Sequence, residues 1–164
     1  MQLLNKEEVV LFRSITEEIY YMNPVISTLE NNYFTKYGIL QSLDCLYEVI
    51  VGCKDQVEIM LEKRKSVGEI KDISQARKAV VGNIFPNTIV YIFLKAKMQQ
   101  LVPSDLFVTT KTKNKLFEDY VTIHVGNETQ KPDMDLVFYR VNDNQKISNC
   151  VIVSLKTSLR ERAG

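Results

Sequence analysis

The sequence has little of the chemistry on which several classes of protein depend. Its 164 residues include no tryptophan, a single histidine, His124, and three cysteines, Cys45, Cys53 and Cys150, with no CxxC pair among them. Such a set cannot build a Cys/His zinc cluster, and we expect the cysteines to be reduced core residues. A Gly-rich phosphate loop, a GxSxG elbow and an HExxH sequence are also missing, which argues against nucleotide-binding, serine-hydrolase and zincin functions.

Long apolar runs are missing as well. Runs such as Thr88–Leu94 are far shorter than the ~20 residues of a membrane span, and the N-terminus lacks the basic start and apolar stretch of a signal peptide. The composition, 45% apolar and 25% charged, is that of a folded globular protein and excludes disorder and collagen. We therefore expect a cytoplasmic protein with no membrane partner.

The net charge of +1 does not indicate a nucleic-acid partner, but the middle of the chain is more basic. Residues 61–120 contain eleven lysines and arginines against six acidic residues, a local charge of +5. This excess permits a DNA-facing surface. An ordinary solvated face remains the alternative.

The apolar pattern changes once, near Pro103, and predicts helices before that point. Asn5 and Glu8 have the spacing of a capping box, and helices are predicted up to Asn23, over 24–34 and over 39–65. The apolar stripe of the 39–65 helix needs a partner, which is either the core of the same chain or a second copy. A further helix is predicted from about Ser74 toward Gln100, with a kink or restart at Pro86.

After Pro103 the period becomes two, which is typical of strands. Strands are predicted over 106–110, 120–125, 135–140 and 149–155, with turns at 126–128 and 142–144. We expect an α+β protein, with a helical region over 1–70 that serves as dimerisation region or scaffold. Residues 71–164 are then a core in which a kinked helix packs on a mostly antiparallel β-meander.

One acidic and one basic residue sit at strand ends that this meander would bring together. Asp133 precedes the strand that begins at Asp135, and Lys156 ends the next strand, with Ser154 on the same strand face. A carboxylate can hold Mg²⁺ while a lysine orients or deprotonates a nucleophile, which suits phosphodiester hydrolysis. The spacing alone also fits an ordinary turn followed by a strand that ends in lysine. His124 has no acid nearby to orient it as a general base.

Three sequence segments resemble type II restriction endonucleases of the PD-(D/E)xK superfamily. Pro132-Asp133 followed by Ser154-Leu-Lys156 is similar to the variant PD…SxK signature, and 156–162 (KTSLRER) resembles the KT(S/T)xxRER segment of the branch related to EcoRII and NgoMIV. Upstream, 74–85 (SQARKAVVGNIF) resembles the ARKSxAGxxxE opening of that branch's first catalytic-domain helix. These enzymes read CCGG, CCNGG or CCWGG sites.

The resemblance implies a role for each matching residue. Asp133 would be a catalytic residue and metal ligand, Lys156 the catalytic lysine, and Ser154 the residue at the place of the usual acid. Asp135 is a candidate second metal ligand because it lies on the same strand face as Asp133. Arg160, Glu161 and Arg162 would read the major groove, because arginine can donate two hydrogen bonds to guanine and glutamate can accept one from cytosine. As alternatives, Glu161 caps a helix and the two arginines are solvated, and Asp135 is a solvent-side residue.

The chain departs from the family pattern at two places. Pro86 stands where the family helix carries a glutamate, and Ser154 stands where most members carry an acid. Residues 158–161 form a capping box that opens a helix just before Gly164, so we expect the catalytic core to continue beyond the given sequence. The second metal carboxylate is expected in that continuation, and the given fragment alone is expected not to cleave DNA.

The predicted function is therefore that of a type II site-specific deoxyribonuclease. It would hydrolyse double-stranded DNA at a C·G-rich palindromic site with Mg²⁺ as cofactor, as a homodimer whose two copies match the site. A cognate methyltransferase would act on the same site rather than bind this protein. The alternatives are a catalytically inactive DNA-binding or assembly domain of the same fold, and a helical protein-interaction module.

Overall fold

The computed structural model describes residues 3–111 and 135–155, together with the backbone of 123–125 and 128–130. Six α-helices lie in the first part: α1 (Lys6–Arg13), α2 (Met22–Thr28), α3 (Phe34–Tyr37), α4 (Leu46–Gly52), α5 (Lys54–Ser66) and α6 (Ile73–Met98). Two π-helical turns (Ser14–Glu18 and Leu29–Tyr33) and a 3₁₀ segment (Leu40–Cys45) connect them. The strands are β1 (Phe107–Thr109), β2 (Ile123–Val125), β3 (Glu128–Gln130), β4 (Leu136–Val141) and β5 (Ile147–Val153).

Helix α1 begins at the predicted capping box. The Asn5 side chain accepts a hydrogen bond from the Glu8 amide at 2.8 Å, and the Glu8 carboxylate accepts one from the Asn5 amide at 3.0 Å. Two of the amides that a helix start leaves without a backbone acceptor are satisfied in this way. This fixes where α1 starts, and therefore where the Glu8 side chain lies.

The single helix predicted over 39–65 is wrong, because the structure has a 3₁₀ segment and two helices there. The break falls at Gly52 and Cys53, and glycine disfavours a helix interior because it loses the most backbone freedom on folding. The apolar stripe packs partly inside the chain: Ile50, Cys53, Val57 and Leu61 are buried, but Tyr47 is 73% exposed. The intrachain core thus accounts for much of the stripe but not all of it.

Helix α6 runs through Pro86 as one element, so the predicted restart there is wrong. Its start is fixed by Asp72, whose carboxylate accepts hydrogen bonds from the amides of Ser74 at 2.9 Å and Gln75 at 3.3 Å. A proline removes only one helical hydrogen bond, and the turns after it are held by burial, since Val90, Ile92 and Leu94 are fully buried. Packing on the rest of the protein outweighs that local loss.

By length and composition alone, α6 could also cross a membrane. Its most apolar 18-residue window has a mean hydropathy of 1.3, and 56% of that window is buried inside the protein. The core helix of a soluble protein has the same properties, so this is weak evidence for a membrane span.

The strands form two antiparallel groups. One sheet has the order β1-β4-β5, and β2 pairs with β3 in a separate hairpin. The pairing is antiparallel, as predicted. The strands do not follow one another as a simple meander, because β1 pairs with β4 and the β2–β3 segment lies between them in the sequence. Asn142 shapes the β4–β5 turn by accepting hydrogen bonds from the amides of Asn144 and Lys146 at 2.9 and 3.0 Å.

One face of the three-stranded sheet packs on the helices. The Phe93 ring on α6 meets the Phe138 ring on β4 edge to face, with 5.0 Å between centroids. The main apolar cluster includes Ile15 and Leu29 as well as Leu94 and Leu136. Helices from residues 1–70 and strands from 71–164 thus share one core, and the boundary near residue 70 remains a sequence prediction.

Candidate active site

The antiparallel pairing of β4 and β5 brings together the chain segments that carry the sequence signature. The ladder pairs Leu136 at the start of β4 with Val153 at the end of β5, and the Asp135 amide donates to the Val153 carbonyl at 2.9 Å. The strand-end geometry expected from the sequence is therefore present up to Asp135 and Leu155. We call this end of the sheet, which comprises Asp135, Ser154 and Leu155, the candidate edge.

Asp135 is the carboxylate that the structure describes at the candidate edge. Its Oδ2 accepts a hydrogen bond from the Leu155 amide at 2.6 Å, and the residue is half-buried. A hydrogen bond to an ionised acceptor is shorter and stronger than one between neutral groups. The acid thus contacts the backbone of the opposite strand, a role that the sequence did not indicate.

Ser154 lies between Val153 and Leu155, the two residues that bond to Asp135, and it is exposed. A hydroxyl at this position can donate or accept a hydrogen bond, but it carries no charge and is a poorer ligand for a hard cation than a carboxylate. The exposure of Ser154 leaves its side chain accessible from solvent.

The other predicted site residues lie outside the described residues. These are Asp133, Lys156, Arg160, Glu161 and Arg162. For His124 only the backbone is described, on β2 opposite Thr129. Of the predicted site, the structure thus brings together Asp135 and the segment that contains Ser154.

The described part of the candidate edge offers few ligands for a metal ion. Among residues 3–111 and 135–155, no group of three or more His, Cys, Asp or Glu side chains could hold one. Mg²⁺ prefers charged oxygen ligands such as carboxylates and often keeps several waters beside one or two of them. The donor chemistry of Asp133 and Asp135 fits this ion, with most of the coordination left to water and phosphate.

Helix α1 contacts β1, the outer strand of the same sheet. Glu7 hydrogen-bonds the Thr109 hydroxyl, and the Oε2 of Glu8 accepts a hydrogen bond from the Val108 amide at 3.2 Å. Thr109 pairs with Val137, two residues from Asp135. The two acids cover the outer edge of β1, which would otherwise present an unpaired amide. Sequence reasoning missed this contact, and only the capping box singled out Glu8.

Tyr139 is a second polar group on β4 near these acids. Burial raises the pKa of its hydroxyl, and the nearby charges of Glu7 and Glu8 raise it further, although a hydrogen bond with Asn5 acts the other way. The phenol is therefore neutral at physiological pH. Its ring packs on that of Phe107 with centroids 5.6 Å apart.

The cysteines take no part in the candidate edge. Cys53 is buried, Cys45 and Cys150 are half-buried, and all three are free thiols. Burial raises the pKa of the Cys150 thiol, which keeps it protonated and a poor nucleophile. The interior position predicted from the sequence is confirmed in full for Cys53 and in part for the other two.

Comparison with known proteins gives one finding. The family described as "BsaWI restriction endonuclease type 2" matches residues 104–164, a range that contains the five strands of the described part of the chain and the candidate edge. No curated protein and no solved structure matches the chain. The match supports a type II restriction enzyme, consistent with the α+β architecture, and indicates a type II deoxyribonuclease.

Proposed function

We propose that this protein is a type II restriction endonuclease that cleaves double-stranded DNA at a C·G-rich palindromic site and requires Mg²⁺. The observation that carries the proposal is the family match over 104–164, which falls on the hairpin whose ends approach through Asp135 and Leu155. The sequence places Asp133 two residues before one of these ends and Lys156 one residue after the other.

The proposed chemistry divides between three residues. Asp133 holds the divalent cation, which when bound polarises the scissile phosphate and lowers the pKa of a bound water. Lys156 orients the attacking water or takes up its proton, and Ser154 adds a neutral hydroxyl at the place where most relatives carry an acid. Asp133 is then the main protein ligand of the ion.

Sequence reading is assigned to Arg160, Glu161 and Arg162. Each arginine can donate two hydrogen bonds to O6 and N7 of guanine, and the glutamate can accept one from N4 of cytosine. A triplet of this kind suits adjacent C·G pairs. Phosphate contacts would come from exposed lysines such as Lys63, Lys65, Lys71 and Lys78 and would weaken as salt rises.

A palindromic site implies two copies of the chain, because each DNA strand needs its own active site and a two-fold axis relates the half-sites. We therefore propose a homodimer, with residues 1–70 as scaffold and 71–164 as the catalytic part. The protein is proposed to act in the cytoplasm, where a methyltransferase that modifies the same site protects the host DNA.

The proposal is tested by incubating the protein, purified from its source at its native length, with DNA of known sequence and Mg²⁺ and mapping the ends that form. Discrete fragments whose ends share one palindrome are expected, and Asp133→Asn should bind the same DNA without cutting it. Asp143→Asn, a charge removal in the exposed β4–β5 turn, is the matched control and should cut normally.

A second candidate function is a DNA-binding domain of the same fold that no longer cuts. The exposed, neutral Ser154 at the place of the usual acid and the buried Pro86 at the place of the family glutamate favour it. Specific binding without cleavage in Mg²⁺ or Mn²⁺ would select this candidate. A protein that neither cuts nor binds DNA would contradict both functions.

A further inference from the structure

We infer that Asp135 is a positioning residue, whose carboxylate fixes the backbone at Leu155 immediately before Lys156, rather than a ligand of the metal ion. This rests on the proposed function, because fixing Leu155 matters for catalysis only if Lys156 acts in the reaction. It also replaces the metal-ligand role that the sequence predicted for Asp135.

The first argument is the hydrogen-bond pattern past the end of the ladder. Regular pairing ends at Leu136 and Val153, yet Asp135 makes two further bonds to the opposite strand. Its amide donates to the Val153 carbonyl at 2.9 Å, and its Oδ2 accepts from the Leu155 amide at 2.6 Å. The two bonds bracket Ser154, so this part of the chain cannot shift its register without breaking at least one of them.

The second argument is that the Asp135 carboxylate accepts a hydrogen bond from an amide of the opposite chain segment, as backbone carbonyls do elsewhere in the sheet. Residues after the last strand pair usually lose their cross-strand partner, and their amides turn to solvent. Here the carboxylate supplies the missing acceptor and carries a full charge, which makes the bond stronger than a neutral one. The pairing of β4 and β5 therefore extends as far as Leu155.

The third argument concerns what is left for a cation. The Leu155 amide hydrogen is directed at Oδ2, so a cation on that oxygen would lie close to the positive end of the N–H dipole. In the proposed site the ligand role belongs to Asp133, two residues earlier in the sequence.

Consecutive Cα atoms are about 3.8 Å apart, so holding Leu155 limits where the Cα of the next residue in the sequence, Lys156, can lie. Reacting groups lose much of their effect when displaced slightly, and about 1 Å can lower a rate by roughly 100-fold. A positioning residue at Leu155 would thus act on the rate without touching substrate or metal.

The test compares Asp135→Asn with Asp135→Ala, using Asp143→Asn and Asp143→Ala as matched controls in the same hairpin. Asparagine keeps an oxygen acceptor and loses the charge, whereas alanine loses both. We expect hydrogen exchange at the Leu155 amide to be roughly 10- to 100-fold faster in Asp135→Ala. The exchange rate of the Leu155 amide should stay much closer to that of the wild type in Asp135→Asn. The Asp143 variants should leave this rate unchanged.

Cleavage rates and metal binding complete the comparison. Asp135→Ala should cut roughly 10- to 100-fold more slowly, as for removal of a residue that supports a catalytic group, while Asp135→Asn keeps most of the activity. The rise in Tm on adding Mn²⁺ should be the same in Asp135→Asn as in the wild type, because Asp133 remains.

Two results would overturn the inference. One is unchanged exchange at Leu155 in Asp135→Ala, and the other is loss of the Mn²⁺-dependent rise in Tm in Asp135→Asn. If Asp135→Ala does not fold, Asp135→Asn decides between the two roles. The Mn²⁺-dependent rise in Tm should be lost in this variant if Asp135 is a metal ligand and kept if it is a positioning residue. If the wild type cuts no DNA, the proposed catalysis fails, while exchange at Leu155 still decides whether Asp135 holds the strand end.

Discussion

Glu8 and Lys97 form an ion pair in which both side chains are completely buried, with Nζ of Lys97 2.8 Å from Oε1 of Glu8. The pair joins the first turn of α1 to the last turn of α6, and Oε2 of Glu8 also accepts from the Val108 amide on β1. The ammonium group lies 4.2 Å from the centre of the Phe107 ring. One pair of charges thus connects two helices and the edge of the sheet.

Removing one partner of this pair should strongly destabilise the fold. Glu8→Gln leaves the lysine charge buried without its counter-ion, and Lys97→Met leaves the glutamate in the same state. Loss of one partner of a buried pair typically lowers the free energy of unfolding by about 3–5 kcal/mol. Urea unfolding of each variant measures the change.

Glu18→Gln, at an exposed glutamate in the turn after α1, is the control and should change stability little. Replacing both Glu8 and Lys97 by apolar residues should destabilise less than the two single changes added together, because no unpaired charge remains. Additive losses would show that the two charges do not stabilise each other.

A second prediction concerns pH and the Glu58–Arg77 pair between α5 and α6. The guanidinium donates two hydrogen bonds to the carboxylate, from Nε at 2.6 Å and from Nη2 at 2.9 Å. These bonds hold the pKa of the Glu58 carboxyl below its ordinary value. A carboxyl with a lowered folded-state pKa stabilises the fold above its unfolded-state pKa, and that contribution is lost as the pH falls through the lowered value.

Glu58→Gln should therefore lower the urea midpoint more at pH 7 than in acid below the lowered pKa of Glu58, where the wild-type carboxyl is also protonated. Both groups are partly exposed, so the difference should shrink in high salt. Asp44→Asn, at an exposed acid of the 3₁₀ segment, should show a smaller dependence on pH. An effect of Glu58→Gln that is equal at both pH values would argue against the pair as its cause.

A third prediction separates cutting from binding at Lys156. Lys156→Ala should abolish DNA cleavage and leave specific binding nearly unchanged, because the lysine is proposed to act on the nucleophile and not on base recognition. Single-turnover cleavage and a gel-shift titration on the same DNA measure the two properties. Lys146→Ala, at an exposed lysine of the β4–β5 turn, should leave both unchanged. A Lys156→Ala variant that still cuts at the wild-type rate would contradict the assignment.

A fourth prediction concerns recognition by Arg160 and Arg162. Substituting either by alanine should weaken binding to the cognate site by about 1–3 kcal/mol and relax preference at one C·G pair. Binding to unrelated DNA should fall much less, since it depends on phosphate contacts. Titrations against the cognate site and single-pair variants distinguish the two effects. An equal loss on all sequences would make these arginines phosphate ligands.

Local signals in the sequence predicted the parts of the fold that depend on neighbouring residues. The Asn5–Glu8 capping box and the strand character of residues after Pro103 are confirmed, because capping and two-residue periodicity are set within a few positions of the chain. The PD…SxK spacing predicted the approach of the two strand ends, which is present as far as Asp135 and Leu155. The roles of Asp133 and Lys156 stay predictions.

Only the tertiary structure decided the features that depend on packing between distant segments. Periodicity predicted one helix over 39–65, and proline chemistry predicted a kink or restart at Pro86. The structure instead breaks the first helix at Gly52 and Cys53, and burial against the rest of the chain carries α6 through the proline. The partner of Glu8 is 89 residues away in the chain. No local pattern encodes such a contact, since its strength comes from burial that exists only once the helices and the sheet have packed together.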